Sequence, residues 1–140
     1  MQLSDRQQEI IEEFQFFDSW MDKYQYLIDL GKELDPLEDA EKSENNLVRG
    51  CQSQVWMVVD GDAANVTIRA NSDAAIVSGL IALVVRLYSK ASAEEIIKTE
   101  PEFVEALGLS QHLSPTRANG LASMLQRLKA ETAQLIAKSS

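Results

Sequence analysis

The sequence has one cysteine, Cys51, and one histidine, His112, in 140 residues. An internal disulfide is therefore excluded, and no Cys/His set is large enough for a structural zinc or iron–sulfur site. A lone thiol would be a liability in a secreted small domain, so the count points to a reducing, cytoplasmic setting. There is no glycine-rich phosphate loop, no GxSxG elbow and no HExxH pair, which removes most nucleotide enzymes and hydrolases. The opening Met1-Gln2-Leu3-Ser4-Asp5-Arg6 is polar and carries no signal-like apolar run. Ala74 to Val85, the longest apolar stretch, is interrupted by Ser78 and Gly79 and falls short of the ~20 residues of a membrane span.

Positive charge is scarce where negative charge is plentiful. Residues 1–46 hold 13 acids against 4 bases, whereas residues 47–140 hold 9 of each. No basic stripe is left to neutralise phosphates, which argues against nucleic acid and against an anionic membrane surface as partners. With only 3 Pro and 6 Gly, 45% apolar and 25% charged residues, the composition is that of an ordinary folded domain, expected to span residues 1–140 as one unit.

Periodicity predicts a first helix from a Ser4–Gln7 capping box through Ile10, Ile11 and Phe14 to about Phe17. A second helix is expected from the cap Asp18, turning Met21, Tyr24, Leu27, Ile28 and Trp20 toward the core and ending at a left-handed Gly31. The two would lie antiparallel. Residues 34–46 read as a surface connection. Residues 54–59 and 66–70 read as a hairpin joined by 60–65, with Val66, Ile68 and Ala70 on one buried face and Leu47-Val48 as a short third strand. The first strand is apolar on both faces, which predicts that helices cover part of its second side.

Ser72 or Asp73 is expected to cap a central core helix running to Tyr88. Ser92 with Glu95 and Thr99 with Glu102 read as caps of two short helices, the second closed by Gly108. Ser114-Pro115 opens a last helix carrying Leu121, Met124, Leu125, Leu128 and Leu135. Helices, then strands, then helices predict an α+β fold, a small antiparallel sheet of two to three strands with helices packed on it.

The acids at positions 9, 12, 13, 18 and 22 fall opposite the apolar helical faces and read as a solvated surface. His112 reads as a loop or core histidine, and Trp56 and Tyr24 as core aromatics. What remains is Cys51, in Arg49-Gly50-Cys51-Gln52-Ser53-Gln54-Val55-Trp56. A lone cysteine is most often a small buried hydrophobe. Here Gly50 and Gln52-Ser53 put the thiol at a polar turn leading into a strand, and Arg49 is placed to lower its pKa by stabilising the thiolate. Without a second cysteine, any sulfur it accepts must be passed on to another molecule.

The octapeptide from Arg49 to Trp56 resembles the SufE family of cysteine-desulfuration proteins and their CsdE paralogues. Further matching blocks are Ser72-Asp73-Ala74-Ala75-Ile76-Val77 with Gly79-Leu80, and Gln111-His112-Leu113-Ser114-Pro115-Thr116-Arg117 with Gly120-Leu121. Trp20 and Lys23-Tyr24 extend the likeness upstream, so that it covers nearly the whole chain. The resemblance implies that Cys51 accepts persulfide sulfur from a pyridoxal-phosphate cysteine desulfurase of the SufS or CsdA type. It implies that the chain stimulates that enzyme and hands the sulfur to an iron–sulfur scaffold such as a SufBCD-like complex. The chain itself would bind no cofactor or metal; a homodimer is compatible with this reading. Arg49, Gly50, Gln52, Asp73 and Arg117 are the candidate supports of the cysteine loop or of docking. The competing reading is a non-catalytic binding module or scaffold in which Cys51 is structural; a stand-alone thiol enzyme lacks a base and a recognisable substrate pocket.

Overall fold

The computed structural model describes residues 2–51 and 53–139. Seven α-helices accompany a hairpin among them: α1 (Leu3–Phe14), α2 (Trp20–Gly31), β1 (Val55–Asp62), β2 (Asn65–Ser72), α3 (Ala75–Tyr88), α4 (Ala93–Lys98), α5 (Phe103–Ala106), α6 (Leu109–His112) and α7 (Pro115–Ser139). This is the α+β arrangement expected, and none of the helices is long and apolar enough to cross a membrane.

The hairpin is antiparallel, with Val55 opposite Ser72 and Asp62 opposite Asn65. Its turn is tighter than the sequence suggested. Gly61 takes φ +98°, and the Asp62 carboxylate accepts the Ala64 and Asn65 N–H groups, so the ladder continues almost to the tip. Val55, Met57, Val66, Ile68 and Ala70 form the buried face, packed on α3 and α7. The second face of β1 is covered by the 34–46 connection rather than by a long helix: Lys42 lies over the Trp56 ring, and Glu41 pairs with Arg69 beneath it. Trp56 is accordingly half-buried and outside the core. The expected third strand is reduced to one bridge, Leu47 to Trp56, with the Val48 N–H bonded to the Val55 carbonyl at 2.8 Å.

The core runs along α3, whose Ile76, Leu80, Ile81, Leu83, Val84 and Leu87 are buried. Helices α1 and α2 each pack mainly on α3 rather than on one another. Two glycines make the α2–α3 crossing possible. A Cβ on Gly79 would stand 2.2 Å from the Leu27 carbonyl oxygen, and one on Gly31 would stand 2.7 Å from the Gly79 nitrogen. Gly31 therefore ends α2 without adopting the left-handed conformation expected of it, because its lack of a side chain serves close approach instead.

Several local expectations are corrected. Ser4 lies inside α1, and Gln7 is buried, bridging the Glu100 carbonyl and the Phe103 N–H in place of a capping box. Helix α1 stops at Phe14, and Ser19 rather than Asp18 caps α2. Met21 points outward, 81% exposed. Glu13 is not merely solvated: it is half-buried between Arg86 of α3 and the Tyr26 hydroxyl. Thr99 closes α4 through the Glu95 carbonyl instead of opening α5. The Ser92–Glu95 cap is as expected, and Gly108 lies past the end of α5 as expected, where it takes a left-handed φ of 73°.

Candidate functional site

Cys51 sits on a loop whose base is the Val48–Val55 hydrogen bond. Gly50 is required in that loop on two counts. Its φ is +89°, and a Cβ there would meet the Ser123 hydroxyl of α7 at 2.5 Å. With the chain pressed this closely on α7, the half-buried Cys51 thiol donates to the Gly120 carbonyl oxygen at 3.5 Å. Burial pushes the thiol above its ordinary pKa. The resting side chain is therefore a neutral thiol, not a preformed thiolate.

A cavity of about 440 Å³ opens beside the sulfur. Buried Val77 and Leu80 of α3 and Leu121 and Met124 of α7 supply its apolar wall. Exposed Ser114, Thr116 and Arg117 line its opening. A pocket is thus present where the sequence showed none. Among the described residues no base stands at the sulfur: the ring of His112 is stacked on Trp20 with centroids 4.3 Å apart, and Sγ has the Gly120 carbonyl as its hydrogen-bond partner. No group of His, Cys, Asp and Glu side chains among them could hold a metal ion.

The expected support residues separate into distinct places. Arg49 is exposed and pairs with Glu44 at 3.4 Å; it does not lower the thiol pKa, which burial moves the other way. Asp73 does not cap α3, whose N-cap is Ala74. Its carboxylate instead accepts the Gln54 N–H at 3.1 Å, and its own N–H reaches the Gln54 carbonyl, fixing the exit of the cysteine loop. Arg117 shares the cavity with Cys51, and its guanidinium donates to the Tyr24 hydroxyl and lies 5.9 Å from that ring's centroid. Among the described residues no carboxylate pairs with it. Gln52 lies outside the described residues.

Sequence reasoning missed Ser123 and Arg127 of α7 and gave Gly120, part of a matching block, no role at the loop. Gly120, Ser123 and Arg127 recur at helical spacing, so one face of α7 underlies the whole segment. A glycine inside a helical pattern was the one signal on offer, since it costs helix stability and so calls for a packing reason.

Comparisons with known proteins agree with this geometry. Residues 8–132 match the family described as "SufE: Fe-S metabolism associated domain". An uncharacterised SufE-like protein of Rhizobium meliloti (strain 1021) is 43% identical over 128 residues, covering 88% of this chain and 91% of its own. The solution structure of a hypothetical protein from Thermus thermophilus shares the fold, with a TM-score of 0.78 at 21% identity over 94% of this chain and 96% of that one. With the family match spanning most of the sequence and the cysteine loop, sheet and α7 assembled around it, the chain belongs to the SufE family.

Proposed function

We propose that this chain is a sulfur acceptor and activator for a cysteine desulfurase, with Cys51 as the acceptor. The observation that carries the reading is the place of its one thiol, on a loop at a cavity with room for a further sulfur atom. In the transfer, the Cys51 thiolate attacks the terminal sulfur of the donor persulfide. A new S–S bond forms on Cys51, the donor S–S bond breaks, and the donor cysteine leaves as a thiolate. The exchange is redox-neutral and needs neither a metal nor an acid–base dyad. The loaded sulfur then passes to an iron–sulfur scaffold by the same displacement.

The raised thiol pKa bears on the partner's role. A neutral, half-buried thiol is a poor nucleophile, so docking has to shift the loop or its surroundings before Cys51 reacts. The apolar cavity wall shelters the sulfur until then. The test is mass spectrometry after incubation with cysteine, pyridoxal phosphate and a desulfurase, with SufS- and CsdA-type enzymes run side by side. A gain of one sulfur on the Cys51 peptide supports the reading. Its absence with both enzymes leaves the alternative, a binding module with a structural cysteine, which the half-burial of Cys51 favours.

A further inference from the structure

The cysteine loop is tied to α7 by a residue that no motif singles out. Arg127 donates from Nη1 to the Leu47 carbonyl at 3.0 Å and from Nη2 to the Asn45 carbonyl at 2.7 Å. Its Nε is bonded to the Glu131 carboxylate, one helical turn on, at 3.0 Å. Each of the three guanidinium nitrogens is thus engaged: Nε is held from behind by Glu131, and the two Nη groups grip carbonyls on the chain entering the loop. Arg127 lies two helical turns beyond Gly120, whose carbonyl receives the thiol, with Ser123 against Gly50 between them.

We propose that Arg127 is a positioning residue that sets the sheltered resting place of Cys51, by holding the entering arm of the loop down on α7. The argument is one of leverage. Residues 45–47 run directly into Val48, which closes the loop base, and then into Gly50, whose backbone has no clearance over Ser123. With the entering arm fixed, the sulfur is delivered to the Gly120 carbonyl. With the arm released, the loop keeps the Val48–Val55 bond at its base and its tie through Asp73 at the exit, but loses the side-chain clamp that holds residues 45–47 on α7. This inference concerns the resting state, and it rests on the sulfur-acceptor reading only for its consequence, that a docking partner works against this clamp.

The experiment measures the rate at which a small alkylating reagent modifies Cys51 in the folded full chain, as a function of pH, beside a thermal melt. Arg127→Ala should raise the rate severalfold and move the apparent thiol pKa back toward its ordinary value. Arg127→Lys, which keeps a charge able to reach a carbonyl but loses the fork, should fall between. Lys129→Met is the control on the same helix: Lys129 braces the carbonyls of Ile96, Ile97 and Thr99 away from the loop, so its loss should lower stability and leave alkylation unchanged. Wild-type alkylation in Arg127→Ala, or an equal acceleration in Lys129→Met, overturns the proposal. Sulfur loading of wild-type Cys51 is measured separately, so a failure of the acceptor reading is seen there and not in the alkylation rates.

Discussion

The Cys51 thiol and the Gly120 carbonyl oxygen are 3.5 Å apart, and a Cβ at position 120 would touch the same sulfur at 3.5 Å. The thiol proton is held by the backbone of a long helix at a point where that helix presents no side chain. A carbonyl can accept from a thiol but offers nothing to a thiolate, so this contact and burial act in the same direction, keeping the sulfur protonated.

Gly120→Ala tests that relationship. The added methyl makes ordinary contact rather than a clash, and alanine is favoured over glycine in a helix by ~1 kcal/mol. The variant should melt higher while alkylating and loading sulfur more slowly. A higher melting temperature with unchanged alkylation would show that reagents reach the sulfur from another side.

Cys51→Ser should fold normally and lose sulfur loading together with most stimulation of the desulfurase. A serine hydroxyl can donate to the Gly120 carbonyl, so stability should change by no more than ~1 kcal/mol. A drop of ~2–3 kcal/mol in chemical denaturation with stimulation retained would mark Cys51 as a packing residue.

Arg117→Ala should alter Cys51 reactivity or desulfurase stimulation severalfold with little effect on stability, since an exposed polar contact such as that to Tyr24 is worth ~0–1 kcal/mol. The comparison is alkylation against pH in both proteins alongside the stimulation assay. Superimposable curves with full stimulation would reduce Arg117 to a surface brace between α7 and α2.

The pH dependence has a definite sign. Burial raises the Cys51 pKa in the folded chain, so the folded state holds the thiol proton more tightly than the unfolded one. The contribution of Cys51 to stability is complete below the ordinary thiol range and is lost as pH rises through the raised value. Alkylation should show a midpoint above that of a free thiol. In Cys51→Ser, the alkaline loss of stability due to this group should vanish.

What the sequence revealed about the fold was mostly its periodic part. The alternation of Val66, Ile68 and Ala70 located the sheet's buried face, and the apolar run from Ile76 to Tyr88 located the central helix. Local caps at Ser92 and Gly108 were visible because their partners lie within a few residues. Met21 was misjudged because α2 approaches α3 through Gly31 and Gly79, which narrows the face it can bury.

At the site, Cys51 and Gly50 stood out, but the groups that hold them did not. Asp73 has an ordinary helix-capping address and spends its carboxylate on Gln54 instead. Arg127 grips main-chain carbonyls about 80 residues away in sequence, and a carbonyl leaves no mark on the identity of the residue that carries it. Arg49, adjacent to the cysteine, turned out to serve Glu44. Nearness along the chain is a poor guide to electrostatic influence wherever the side chain can turn to solvent.

The hairpin places its two ends far apart. Eight residues of β1 run from the cysteine loop at Val55 to Asp62 beside the turn, a distance of roughly 24 Å at ordinary strand rise. Ala64 at that turn is exposed, and the strands between are locked in register. A fluorophore attached through a cysteine introduced there, in a Cys51→Ser background, would sit on a rigid arm remote from the cavity. Docking of a desulfurase at the loop could then be followed by the tumbling of the labelled chain, without placing a reporter on the surface it covers.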